Sequence, residues 1–187
     1  MKLIILGIAI ASSSFTSCNN NSAKSGEAVK TDTAKAEITT PVVQKDSASV
    51  QPVLTEYLKL KNALISGKSK DAADAAQALN TAIDKLGEGL MTDTEQKAYT
   101  AISADLKEHA EHIGSNATNI KHQREHFQLL SKDIYDLVKA FGTTQTLYKD
   151  YCPMVKAIWL SETRPIKNPY YGSSMLTCGE VQETIQQ

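Results

Sequence analysis

The sequence predicts an all-α fold: an antiparallel four-helix bundle with a loop-rich C-terminal cap that contains short extended segments. Three observations predict it. Apolar residues recur at spacings of three and four in four separate stretches between Val50 and Phe141. The connections between those stretches are short and carry glycine, which favours antiparallel neighbours. Beyond Gly142 the helical period is lost, and three of the five prolines, the only tryptophan and four of the seven tyrosines fall between Tyr148 and Gly179.

In chain order, Met1 and Lys2 give a short positive start and Leu3 to Ala11 an apolar run too short to span a bilayer. Small polar residues follow, then Phe15-Thr16-Ser17-Cys18. This resembles a bacterial lipoprotein signal, in which Cys18 becomes the acylated first residue of the mature protein; Phe15 stands where leucine is commonest. The expectation is a signal peptide over residues 1–17 and a lipid on Cys18, with an ordinary cleaved secretory signal as the alternative. Either way the chain leaves the cytoplasm. A lipid anchor places it in the cell envelope, at the periplasmic face of the outer membrane. Residues 18–49 hold the lipidated cysteine and a stretch without aromatic residues or apolar period, in which four lysines balance four acidic residues. Such a stretch cannot bury enough surface to offset its chain entropy and reads as a flexible tether.

The folded domain is expected over residues 50–187. Val50, Val53, Tyr57, Leu60 and Leu64 form the first stripe, which Gly67 ends. Ser69 is read as the cap of a second helix bearing Ala72, Ala76, Leu79, Ile83 and Leu86, which Gly87 and Gly89 stop. Thr92 and Glu95 have the spacing of a capping box for a third helix. Its stripe is Tyr99, Ile102, Leu106, His109 and Ile113, with a turn at Gly114 to Asn116. The fourth stripe is Ile120, Phe127, Leu130, Ile134, Leu137 and Phe141, closed by Gly142. In the cap, at about 148–181, extended pieces are expected at Leu147 to Tyr151 and Ala157 to Leu160, with turns at Pro165 and Asn168-Pro169.

Composition excludes several roles. A chain of 187 residues accommodates one ordinary domain and little more. Twenty basic against twenty-one acidic residues give no field for a phosphate backbone, so no nucleic-acid partner is expected. No glycine-rich phosphate loop, Gly-x-Ser-x-Gly elbow or His-Glu-x-x-His helix occurs, and the chain is read as no enzyme.

Two constellations carry candidate chemistry. Cys152 and Met154, with Met175 and Cys178, are soft sulfur ligands suited to Cu(I) or Ag(I). The alternative is a disulfide between Cys152 and Cys178, which closes a loop of roughly 26 residues and contributes on the order of 3 kcal/mol. The second constellation is His109, His112, His122 and His126, all four histidines of the chain. Each pair lies one turn apart on one helical face. A hairpin centred near Gly114-Ser115 places His109 within a few ångströms of His122 along the axis, with His112 and His126 farther off. Such imidazoles can hold a metal ion near pH 7; their alternative is one seam histidine and three facing solvent.

Tyr151-Cys152-Pro153-Met154, Ala157-Ile158-Trp159-Leu160-Ser161, Asn168-Pro169-Tyr170-Tyr171-Gly172 and Met175-Leu176-Thr177-Cys178-Gly179 together resemble domain-of-unknown-function family 3347. So do His109-Ala110-Glu111-His112-Ile113 and His122-Gln123-Arg124-Glu125-His126-Phe127. The likeness runs from about Val53 to Val181. It implies an exported bacterial protein, often a lipoprotein and mostly from the Bacteroidetes. The domain also occurs attached to periplasmic adaptor subunits of copper/silver efflux systems of the resistance-nodulation-division type, which implies a heavy-metal role. Tyr-Cys-Pro-Met also resembles the opening of small heavy-metal-binding domains that continue His-Pro; Val155-Lys156 stand in those places here. The resulting expectation is a lipid-anchored periplasmic protein that buffers copper or silver ions or hands them to an efflux adaptor. The alternative is a disulfide-closed helical interaction module without a metal.

Overall fold

The computed structural model describes residues 48–186. The expected signal peptide, the lipidation site Cys18 and nearly all of the tether lie outside the described residues. No helix among the described residues is long and apolar enough to cross a membrane.

Four helices come first: α1 (Gln51–Ile65), α2 (Ser69–Glu88), α3 (Asp93–Ser115) and α4 (Ile120–Phe141). Each consecutive pair packs side by side, as the short connections require. The apolar stripes turn inward, and Leu54, Tyr57, Leu79, Ile83, Leu106, Ile113, Phe127 and Leu130 lose all contact with solvent. Thr92 caps α3 through a complete capping box with Glu95. Thr92→Ala is expected to cost about 1 kcal/mol, read as a lower urea midpoint at unchanged slope.

The all-α class is incomplete. Residues Leu147–Cys152 (β1), Ala157–Ser161 (β2) and Glu180–Ile185 (β3) form an antiparallel sheet in the order β2-β1-β3. The first two strands fall where extended pieces are expected, and the third does not. Tyr151 pairs with Ile158 and Glu180, and a bulge between Lys149 and Asp150 shifts the β1–β3 register. Asp150 and Cys152, two residues apart on β1, both face the interior. The sheet packs on α4 through β2, beside a seam where α1 and α4 themselves touch little. Tyr57 of α1 accepts the Leu160 N–H at 2.9 Å, and Tyr135 of α4 donates to Glu183 of β3 at 2.7 Å.

Three local expectations are corrected. Ser69 does not cap α2; its hydroxyl donates to Gln123 Oε1 at 2.8 Å, and Lys68 stands at the cap without a side-chain bond. Gly87 and Gly114 lie inside helices, where they admit neighbours. A Cβ on Gly87 would stand 2.5 Å from the Tyr99 hydroxyl, and one on Gly114 would stand 3.0 Å from Gln77 Cγ. Ahead of α1, Ala48 donates to Leu90 O at 2.8 Å and packs against the core.

Candidate metal centre

The histidines converge at the α3–α4 hairpin. Because α3 continues through Ser115 and Asn119 caps α4, the hairpin centre lies about three residues later than Gly114-Ser115. This corrects the expected pairing. His109 faces His126 across the seam, with their Nδ1 atoms 3.2 Å apart. His126 is the hub: its ring stacks on His112 at 4.4 Å and 7°, and meets His122 edge-on at 4.5 Å. One nitrogen from each of His112, His122 and His126 lies within 4.8 Å of the other two.

Local sequence fixes this geometry. The Asn119 side chain accepts the His122 backbone N–H at 3.2 Å, and Asn116 Nδ2 donates to His112 O at 2.8 Å. Gln123 is fully buried and ties the hairpin together, donating to Ser69 O at 2.9 Å and Ile113 O at 3.2 Å. Around the rings stand further polar groups. Glu125 lies 3.7 Å from His122 Nδ1, and Glu108 lies 4.0 Å from His112 Nε2. His126 is bonded to His109 through Nδ1. Burial and the imidazoles of His112, His122 and His109 hold its pKa below the ordinary histidine value, against a smaller opposing pull from Glu108. His126 is therefore neutral at pH 7, the form that ligates.

Four-coordinate bonds of 2.0–2.1 Å set nitrogens about 3.4 Å apart. Contraction from the observed separations needs about 1 Å of ring movement. His112 is exposed and His122 partly so, which leaves room for it. The donor set is imidazole nitrogen, suited to zinc, copper and nickel.

The sulfur residues lie in the cap. Val155, Tyr170 and Tyr171 of the cap line one pocket with Lys121, Arg124, Glu125 and Gln128 of α4. Neither cysteine belongs to the group formed by His112, His122 and His126. Met154 points to solvent at 62% exposure, and Met175 is half-buried. Cys152 and Cys178 are neighbouring free thiols. Burial alone raises the Cys152 pKa, but the Val155 N–H, the Asn168 amide, the Met154 N–H and the Cys178 thiol together bring it below the ordinary value. Desolvation and the hydrogen bond to Cys152 push the Cys178 thiol up.

Gln123, Glu108 and Glu125 were not among the expected site residues. Glu125 was legible as the i,i+3 neighbour of His122, whereas a buried glutamine carries no such signal.

Comparison with known proteins yields one match. A family model described as "Protein of unknown function (DUF3347)" matches residues 53–146, which are the four helices up to the edge of β1. The expected likeness through Val181 thus exceeds the matched segment, because the sheet and both cap cysteines lie beyond it. No curated protein and no solved structure matches the chain.

Proposed function

The chain belongs to the DUF3347 family of proteins of unknown function, and from that premise we propose that it is a heavy-metal-binding protein of the cell envelope. Its ion sits in the imidazole cluster of the α3–α4 hairpin. The observation that carries this reading is the meeting of His112, His122 and His126 nitrogens within 4.8 Å, with His109 bonded behind His126. Copper is the favoured cargo, because a nitrogen-only donor set ranks copper above zinc and nickel in affinity. Silver, expected from the sulfur set, fits imidazole less well. His109 is a positioning residue that fixes the tautomer of His126. The role is binding and transfer without turnover, with Cys18 as lipid anchor and a periplasmic efflux adaptor as the receiving partner.

The test is calorimetric and spectroscopic titration of the protein with copper, zinc and silver in turn. Copper is expected to bind with one equivalent per chain. His126→Ala is expected to weaken that binding by about 100-fold or more, and His109→Ala by roughly tenfold. Retention of wild-type affinity when His112, His122 and His126 are all replaced would overturn the site. Absence of copper binding tighter than about micromolar would overturn the function.

A further inference from the structure

The cap thiols have a construction of their own. Cys152 ends β1 and is fully buried, while Cys178 is partly open to solvent. Directly after Cys152 the chain turns through Pro153 to Lys156, where Lys156 takes φ 55°. The β1–β3 register pairs Tyr151 with Glu180, which brings Cys178 beside Cys152, and a Cβ on Gly179 would stand 2.9 Å from the Tyr151 carbonyl oxygen. Asn168 is fully buried and holds the two cysteines together. Its Nδ2 donates to Cys178 O at 2.6 Å, and its Oδ1 accepts the N–H groups of Tyr170 at 2.8 Å and Tyr171 at 3.3 Å. One cysteine of the pair is thus closed off from solvent, and its partner is reachable from outside.

We propose that Cys152 and Cys178 are a reversible redox pair that exchanges with external disulfides, Cys178 being the sulfur that is reached and Cys152 the buried partner. A structural crosslink needs no such asymmetry. In the oxidation, the Cys178 thiol first loses its proton to water. As the thiolate, it attacks an external disulfide RSSR, forming a mixed disulfide and releasing RS⁻. Cys152 then gives up its proton and attacks the Cys178 sulfur, forming the intramolecular disulfide and releasing the second RS⁻. One S–S bond breaks and one forms; the two cysteines lose two electrons, RSSR gains them, and the two thiol protons end on two RSH. In reverse, an external thiolate reaches Cys178 and expels Cys152. Hydrogen bonding that lowers the Cys152 pKa makes it the better leaving group and stabilises the reduced form. A disulfide built this way is easily reduced.

This pair is independent of the imidazole cluster, so its test stands whatever the histidines do. The full chain carrying Cys18→Ser, which removes the only other cysteine, is equilibrated with glutathione buffers. Oxidation is read by thiol alkylation and mass, and by emission of the single tryptophan. Trp159 lies against Gly179, next to Cys178. Expected is a dithiol that predominates at about a hundredfold excess of reduced over oxidised glutathione and oxidises as that ratio falls. Cys152→Ser is expected to accumulate a glutathione adduct on Cys178, and Cys178→Ser to be modified at least about tenfold more slowly. A pair that stays oxidised at that excess is a structural crosslink, and one that never oxidises is no redox pair; either result overturns the proposal. Faster modification of Cys178→Ser than of Cys152→Ser would reverse the assigned order. The glutathione titration with both cysteines present decides the main point without any variant having to fold.

Discussion

The stability difference between the wild-type protein and Asp150→Asn is expected to swing by up to about 4 kcal/mol between pH ~4 and pH ~8, the variant gaining as the pH rises. Asp150 lies in the central strand β1 with no solvent exposure, and neither carboxylate oxygen has a hydrogen-bond partner among the described residues. Its cross-strand neighbour Trp159 likewise leaves its buried Nε1 unpaired. The facing cation is Lys61, itself buried and already bonded to Glu162 and Ser161. Burial therefore dominates over the pull of Lys61 and raises the Asp150 pKa from 3.8 to about 7. The folded state binds the proton more tightly than the unfolded chain. Its contribution is full below the unfolded pKa and is lost as the pH climbs through the folded value. His126 acts oppositely, because its lowered pKa makes folding less favourable as the pH falls. That term is common to both proteins and cancels in the difference. Urea unfolding at a series of pH values measures it. A flat difference would show that the carboxylate is solvated or paired.

The helices were legible because each apolar stripe is a local pattern that burial then rewards at the same period. The Thr92–Glu95 box was legible for the same reason, since both partners lie within one turn. The sheet was only half legible. Leu147 to Cys152 and Ala157 to Ser161 read as extended, but β3 carries Glu183 between Val181 and Ile185, and only the distant Tyr135 and Lys139 make that glutamate acceptable. Tertiary contact also reversed the reading of Gly87 and Gly114, which look like helix stops until the neighbours that need the space are seen. The histidine cluster was visible as a group, while its internal pairing was not. Moving the hairpin centre by about three residues changes which rings meet, and that centre depends on Gly114 staying helical. The buried charges Asp150 and Lys61 left no trace in the sequence, because such residues are normally exposed.

Phe127→Ala is expected to destabilise the protein by about 3–5 kcal/mol, and Phe127→Leu by distinctly less. The ring is fully buried and joins three parts of the fold. It stacks on Tyr57 of α1 at 5.3 Å and 14°, and meets Tyr170 of the cap at 5.9 Å. Tyr57 continues the connection, hydrogen-bonding Ser131 of α4 at 3.0 Å while accepting from β2. Tyr170 returns to β2 through the Ile158 carbonyl and packs edge-on against Trp159 at 5.8 Å. Truncating the ring leaves a cavity where helix α1, helix α4 and the sheet meet, so the loss falls on all three together. Unfolding followed by helical circular dichroism and by Trp159 emission is expected to give one coincident transition in both the wild type and Phe127→Leu. Trp159 reports on the cap alone, and a cap that melted ahead of the helices would separate the two signals. Coincidence would mean that the sheet is a working layer of the core. In that case, under the proposed function, copper at the neighbouring His126 is expected to stabilise cap and helices alike, by about 2.7 kcal/mol at a hundredfold excess over its dissociation constant.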